Sequence, residues 1–190
     1  SRVNWPGHAG GGRSHLRQVA ISGVDGALPP VRVPAGTVIA VVVPPANGDV
    51  IGVANLTAAM LDEGAGSRSA LEIADAIDFL GADLGTTSSS DASAVRLNVP
   101  VARLRDALPI MADVAIRPTF PAQDLERLRQ ERLTALLQAK DDPAQVIPYA
   151  FQRVVFGPTH RYGTGQVGTE ATLKAFTAQD LKAFHDSMYQ

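Results

Sequence analysis

The chain has 190 residues, of which 45% are hydrophobic and 19% charged, with a formal net charge of −2. That size and apolar content suit one globular domain with a real core, and the near balance of charge excludes binding to nucleic acid or an anionic membrane by bulk charge. There is no Cys, which excludes disulfides and thiolate metal sites, and no apolar run reaches transmembrane length.

Residues 1–14 are polar and Gly-rich and read as a flexible arm, leaving 15–190 as one domain. Runs at 16–21 and 37–43, bounded by Gly and Pro, predict strands. A Pro-Pro-Ala-Asn-Gly-Asp loop at 44–49 leads into a helix predicted over 50–62. Ser69 and Glu72 have the spacing of a capping box. Ile73, Ala76, Ile77 and Leu80 form the apolar stripe of the helix that follows, and Gly81 stops it. Residues 82–88 and 92–99 predict a hairpin with Val95, Leu97 and Val99 on one face and Ala94, Arg96 and Asn98 on the other. Helices are predicted over 101–116, 121–140, 143–156 and 177–188, with Pro121 and Pro143 in first turns and Asp142 and Thr177 as N-caps. Strands first and helices later is an α+β pattern, a sheet with helices packed on it.

The segment at 52–61 reads Gly-Val-Ala-Asn-Leu-Thr-Ala-Ala-Met-Leu. It has the shape of the helix that carries an inverted His-x-x-Glu-His zinc motif. In that motif two imidazoles one turn apart reach a metal and the Glu acts on the metal-bound water. The three positions hold Asn55, Ala58 and Ala59. Alanine can neither ligate a metal nor move a proton.

Further segments match at natural spacing: Arg-Ser-Ala-Leu-Glu-Ile at 68–73, Leu-Gly-Ala-Asp-Leu-Gly at 80–85, Arg-Pro-Thr-Phe-Pro at 117–121 and Asp-Asp-Pro at 141–143. So do Phe-Gly-Pro at 156–158, Gly-Thr-Glu at 168–170 and Ala-Gln-Asp-Leu at 178–181. With these, residues 35–190 resemble the pitrilysin/insulinase family of inverted-motif zinc metallopeptidases, as a non-catalytic homologue. The resemblance implies a LuxS/MPP-like metallopeptidase domain, with a mixed or antiparallel sheet covered by helices on one face. It implies a chain that stops before the domain's last strands and lacks the usual second half. It places the third zinc ligand of active members at Ala135, and an acidic residue two turns earlier at Leu128. No metal or cofactor is therefore expected, and no catalysis by the chain alone. In active relatives the strand matching Gly85, Thr86, Thr87 and Ser88 is an exposed edge that pairs with extended substrate. Strand addition needs only free backbone groups and survives loss of zinc. An ordinary hairpin with a Ser-rich turn accounts for the same residues.

Other candidates have plain readings. The Gly-rich stretch at 7–14, with Arg13, imitates a phosphate loop but follows no buried strand and reads as linker. His8, His15, His160 and His185 share no helix face with a second ligand and read as surface or structural groups. Asp62, Glu63, Glu72, Asp75 and Asp78 read as solvated carboxylates. Asp124, Glu126, Arg127, Arg129, Glu131 and Arg132 read as an ion-pair-laced helix surface.

The resulting expectation is a non-catalytic subunit or domain that helps an active partner chain of the same family form a peptide-binding chamber. A second copy of itself is the other expected partner, and extended peptide the expected ligand. The alternative is a purely structural subunit with no peptide handling. The resemblance is to bacterial forms, and both periplasm and cytoplasm fit.

Overall fold

The computed structural model describes residues 52–189, together with the main chain of β1 (Arg17–Gln18), β2 (Arg32–Val33) and β3 (Val38–Val43). The arm predicted at 1–14 and the loop at 44–49 lie outside the described residues. β1 and β2 pair with each other, antiparallel.

β3 joins a second antiparallel sheet of order β3-β7-β6, where β6 is Asp83–Ser88 and β7 is Ser93–Asn98. The β6–β7 hairpin closes where the Ser89 N–H donates to the Ala92 carbonyl at 2.8 Å. The Ser89 hydroxyl oxygen accepts from the Asp91 and Ala92 N–H groups, as Ser does in tight turns. Along β7 and the residue after it, Val95, Leu97 and Val99 are buried while Arg96 is exposed, the period-two alternation predicted for a sheet with one covered face. β6 pairs with β7 on one side only, so among the described residues it is an edge strand.

The covering layer begins with α1 (Val53–Met60), which packs on β6 and β7 and against α7 (Ala178–Met188). Leu56 and Met60, one turn apart, are fully buried; burying such a side chain contributes about 1.5–3 kcal/mol. The helix predicted over 50–62 is shorter because Gly52 caps it with φ 98°. A Cβ at Gly52 would come within 2.6 Å of the Val167 carbonyl oxygen and 2.7 Å of the Gly168 Cα. The start of α1 is thus pressed against the loop that precedes α6 (Glu170–Ala175).

α2 (Ala70–Phe79) opens with both bonds of the predicted capping box, buries Ile73, Ile77 and Leu80, and ends at Gly81 with φ 63°. A small hairpin, β4 (Gly64–Ala65) with β5 (Arg68–Ser69), precedes it. The buried Asp113 of α3 (Leu104–Ile116) accepts from Arg68 at 3.2 Å and from Arg117, fastening this hairpin to the end of α3. The segment predicted as one helix over 101–116 starts instead with a 3-10 turn at Val101–Arg103.

α4 (Ala122–Ala139) and α5 (Pro143–Phe156) follow. Pro121 stands at the N-cap of α4 rather than in its first turn, whereas Pro143 and Asp142 take the first-turn and N-cap positions expected of them. Thr177 caps α7 with Asp180 in a reciprocal box. α6 was not predicted; Thr169 caps it, and its six residues are too few for a clear apolar period. The core is one cluster joining α1, α2, α3, α4, α6 and α7 to β7.

Candidate functional site

A cleft of about 440 Å³ separates α1 from the edge of the sheet. Asn55, Ala58, Ala59 and Asp62 contribute one face of α1 and its C-terminal turn, with Glu63 next to them. These positions share a face because residues three and four apart lie one above the other on a helix. Thr86, Thr87 and Ser88 of β6 form the opposite wall, and Arg132 of α4 enters from the side.

Most positions singled out in the sequence are therefore brought together. Gly85 lies on the same strand just outside the lining. Ala135 sits one turn beyond Arg132 on α4 and is exposed; Arg132 is the α4 residue that lines the cleft. Leu128 packs against the core one turn earlier.

Arg132 corrects the reading of a laced helix surface. It is half-buried, and its Nη2 donates to the Asn55 carbonyl at 3.2 Å. Its Nη1 is enclosed and has no hydrogen-bond partner among the described residues. Loss of water pushes its pKa down, against the opposing charge of Glu131. The signal for this was in the spacing: Leu125, Leu128, Arg132 and Leu136 fall on one stripe of α4, so an arginine occupies a core-facing position. Arg129 also departs from a purely surface role. It donates to the Leu173 and Phe176 carbonyls and caps the end of α6, besides pairing with Glu126 at 2.9 Å. Arg127 behaves as expected, bridging Glu131 and Asp124, and reaches Glu63 at 2.6 Å.

Asp62 and Glu63 are half-buried rather than fully solvated. Burial pushes the Asp62 carboxyl above its usual range, a hydrogen bond within its own residue's backbone opposes this, and Glu63 adds to it. Glu72 has its expected exposed place, bonded into the α2 cap. His185 is structural: it is buried, its Nε2 lies 2.9 Å from the Ala115 carbonyl, and Tyr189 stacks on its ring at 4.7 Å. His160 stacks on Phe156 at the surface.

The β6 edge has a defined polarity. Opposed residues in an antiparallel pair alternate between mutually bonded and unbonded. Ser89 and Ala92 are bonded, so Thr87 and Ala94 are too, whereas Ser88 and Thr86 turn their main-chain N–H and C=O groups away from β7. Those groups, unpaired among the described residues, lie on the strand that walls the cleft.

Residues 45–157 match the family described as insulinase, peptidase family M16. The chain belongs to this family. An uncharacterised zinc protease of Mycobacterium leprae is 28% identical over 140 residues, covering 74% of this chain and 31% of that protein. The uncharacterised zinc protease YmxG of Bacillus subtilis is 23% identical over 141 residues, covering 74% of this chain and 34% of that protein. Among solved structures, a peptidase M16 inactive domain from Pseudomonas fluorescens superposes with a TM-score of 0.77 at 28% identity, covering 90% of this chain and 43% of that one. Pitrilysin shares the fold, with a TM-score of 0.68 at 18% identity, covering 94% of this chain and 20% of that one. The chain thus spans about a third of the length of the curated relatives it matches.

Zinc, which the names of the two curated relatives carry, does not fit the residues present. A protein zinc site takes its ligands from Cys, His, Asp and Glu. Here an amide, two methyl groups and a single carboxyl, Asp62, line the α1 side, Glu63 is engaged by Arg127, and the Arg132 guanidinium brings a positive charge into the same cleft. Among the described residues no three such ligands converge. No described helix is long and apolar enough to cross a membrane.

Proposed function

We propose that this chain is a non-catalytic member of the insulinase family that holds extended polypeptide in the cleft between α1 and β6 and completes a peptide-binding chamber with an active zinc-peptidase chain. The observation that carries the reading is a strand edge, open among the described residues, facing the α1 face of Asn55, Ala58 and Ala59, where the family resemblance puts the zinc motif. Strand addition draws its affinity from main-chain hydrogen bonds and needs no metal. The likeness to a domain described as inactive supports the same reading.

The surface of α5 supports partnership. None of its residues is buried, and Ile147, Phe151 and Val154 are 64%, 66% and 84% exposed. A contiguous apolar face of this kind marks a protein–protein contact. It also suits the alternative of a purely structural subunit, but an assembly role alone gives no account of the cleft. The test is co-purification with a chain carrying an intact His-x-x-Glu-His motif, followed by peptide cleavage. The chain alone should be inert and the pair active, with higher activity than the zinc chain alone. A pair that forms while leaving cleavage and peptide affinity unchanged would favour the structural role.

A further inference from the structure

Within the cleft the charges are unevenly placed. Asp62 and Glu63 lie at the C-terminal end of α1, and Glu63 is bonded to Arg127. At the Asn55 level the charged side chain is Arg132, on the neighbouring helix. Arg132 enters no ion pair among the described residues. One terminal nitrogen reaches a main-chain carbonyl, and the other is enclosed without a partner. A guanidinium has five N–H donors in a fork that fits a carboxylate with two parallel bonds. A desolvated cation with spare donors in a cleft is in a state that an incoming anion relieves, because charge-assisted bonds strengthen where water is excluded. Across the cleft from α1 are Thr86 and Ser88, whose main-chain groups face away from β7.

We propose that Arg132 is the specificity residue of this cleft and that it selects extended peptides bearing a carboxylate. The inference rests on the peptide-holding role proposed above and adds the ligand's chemistry. A strand laid along β6 is held in register by its main chain, and a carboxylate on it meets the Arg132 fork once that side chain turns Nη1 toward the cleft. Asp62, when ionised, repels a carboxylate from the other end, while Arg127 offsets the charge of Glu63. The carboxylate is either an acidic side chain or the peptide's C-terminus, and the two sources present the same group.

Fluorescence anisotropy with three N-terminally labelled extended peptides separates the possibilities. One is neutral with an amidated C-terminus, one carries a central Glu with the same amide, and one is neutral with a free C-terminal carboxylate. At least one anionic peptide should bind about tenfold or more tighter than the neutral peptide, the scale of one charge-assisted hydrogen bond, and added salt should erode the difference. Tighter binding of the Glu peptide assigns the site to acidic side chains, and tighter binding of the free-acid peptide assigns it to chain ends. In Arg132→Gln the preference should vanish, and in Arg132→Lys part of it should remain. Equal binding of all three peptides by the unaltered chain would overturn the role of Arg132 and leave peptide holding intact. A preference that persists in folded Arg132→Gln would do the same, and failure of all three to bind would overturn both.

Discussion

Arg132 of α4 donates from Nη2 to the main-chain carbonyl of Asn55 at 3.2 Å, tying α4 to α1, whose cleft face also carries Ala58 and Ala59. The contact has two opposing energies. A hydrogen bond from a charged donor contributes about 1.5–3 kcal/mol, while an unsatisfied buried N–H costs about 1–3 kcal/mol. Because Nη1 is of the second kind, the two nearly cancel. Arg132→Met, which keeps the aliphatic stem, should therefore change stability by less than about 1 kcal/mol. Leu56→Ala, at a fully buried position, should cost about 2–5 kcal/mol. Urea unfolding of the two variants checks the contrast, and a loss in Arg132→Met as large as in Leu56→Ala would show that the arginine is a structural clamp.

Purified without a His tag, the chain should hold zinc far below one per molecule. Neutral Asn and Ala cannot replace two imidazoles and a carboxylate, and Arg132 opposes a cation electrostatically. Metal analysis by mass spectrometry decides this. One tightly held zinc per chain, lost on substituting Asn55, would contradict it.

Asp62 gives a pH signature. Burial raises its pKa above the ordinary value of 3.8, so the folded state holds that proton more tightly than the unfolded state. The stability linked to it is fully present below 3.8 and is lost as pH rises through the higher folded value. Asp62→Asn should consequently be more stable than the unaltered chain at neutral pH, with the gain shrinking to nothing on acidification to 3.8. Urea midpoints collected across pH 3.5–7 measure it. A gain that is constant with pH would mean that the Asn packs better for reasons unrelated to charge.

Gly52 is held by backbone conformation and by crowding together. Its φ of 98° disfavours any side chain, and a Cβ would press on the rigid main chain at Val167 and Gly168. Gly81 has φ 63° but open space around a Cβ. Both Gly→Ala changes should destabilise. Gly81→Ala should cost roughly 1 kcal/mol from conformation alone, and Gly52→Ala roughly 1–3 kcal/mol more. Thermal melts of the two variants give the comparison, and equal losses would mean that the loop before α6 moves aside freely.

Much of this was legible in the sequence because it is local. The Ser69–Glu72 box, the stripe of Ile73, Ile77 and Leu80, and the alternation of Val95, Leu97 and Val99 each follow from spacing over a few residues. The cleft's α1 face was legible too, since Asn55, Ala58 and Ala59 share a helix surface by arithmetic. Arg132 was misread because its neighbours Arg127, Arg129 and Glu131 are charged, and local charge density outweighed its place on the Leu125–Leu136 stripe. Which way a residue turns on a helix is periodic and readable; what it meets there is tertiary. Arg129 capping α6, 47 residues away at Phe176, is likewise invisible to any local pattern.

The strand edge offers the sharpest test of peptide holding. Thr86 and Thr87 are chemically identical neighbours with opposite main-chain directions. Thr87 exchanges its groups with Ala94 in the β7 ladder, and Thr86 directs its N–H toward the free edge. Proline removes that N–H and is tolerated on an edge where the N–H faces outward. Thr86→Pro should therefore stay folded and lose most of its affinity for extended peptide. Thr87→Pro should break a ladder bond and lose about 1–3 kcal/mol of stability. Circular dichroism with urea unfolding reads stability, and peptide anisotropy reads binding. If folded Thr86→Pro binds extended peptide as well as the unaltered chain, β6 is an ordinary hairpin strand and the cleft holds its ligand, if any, by other groups.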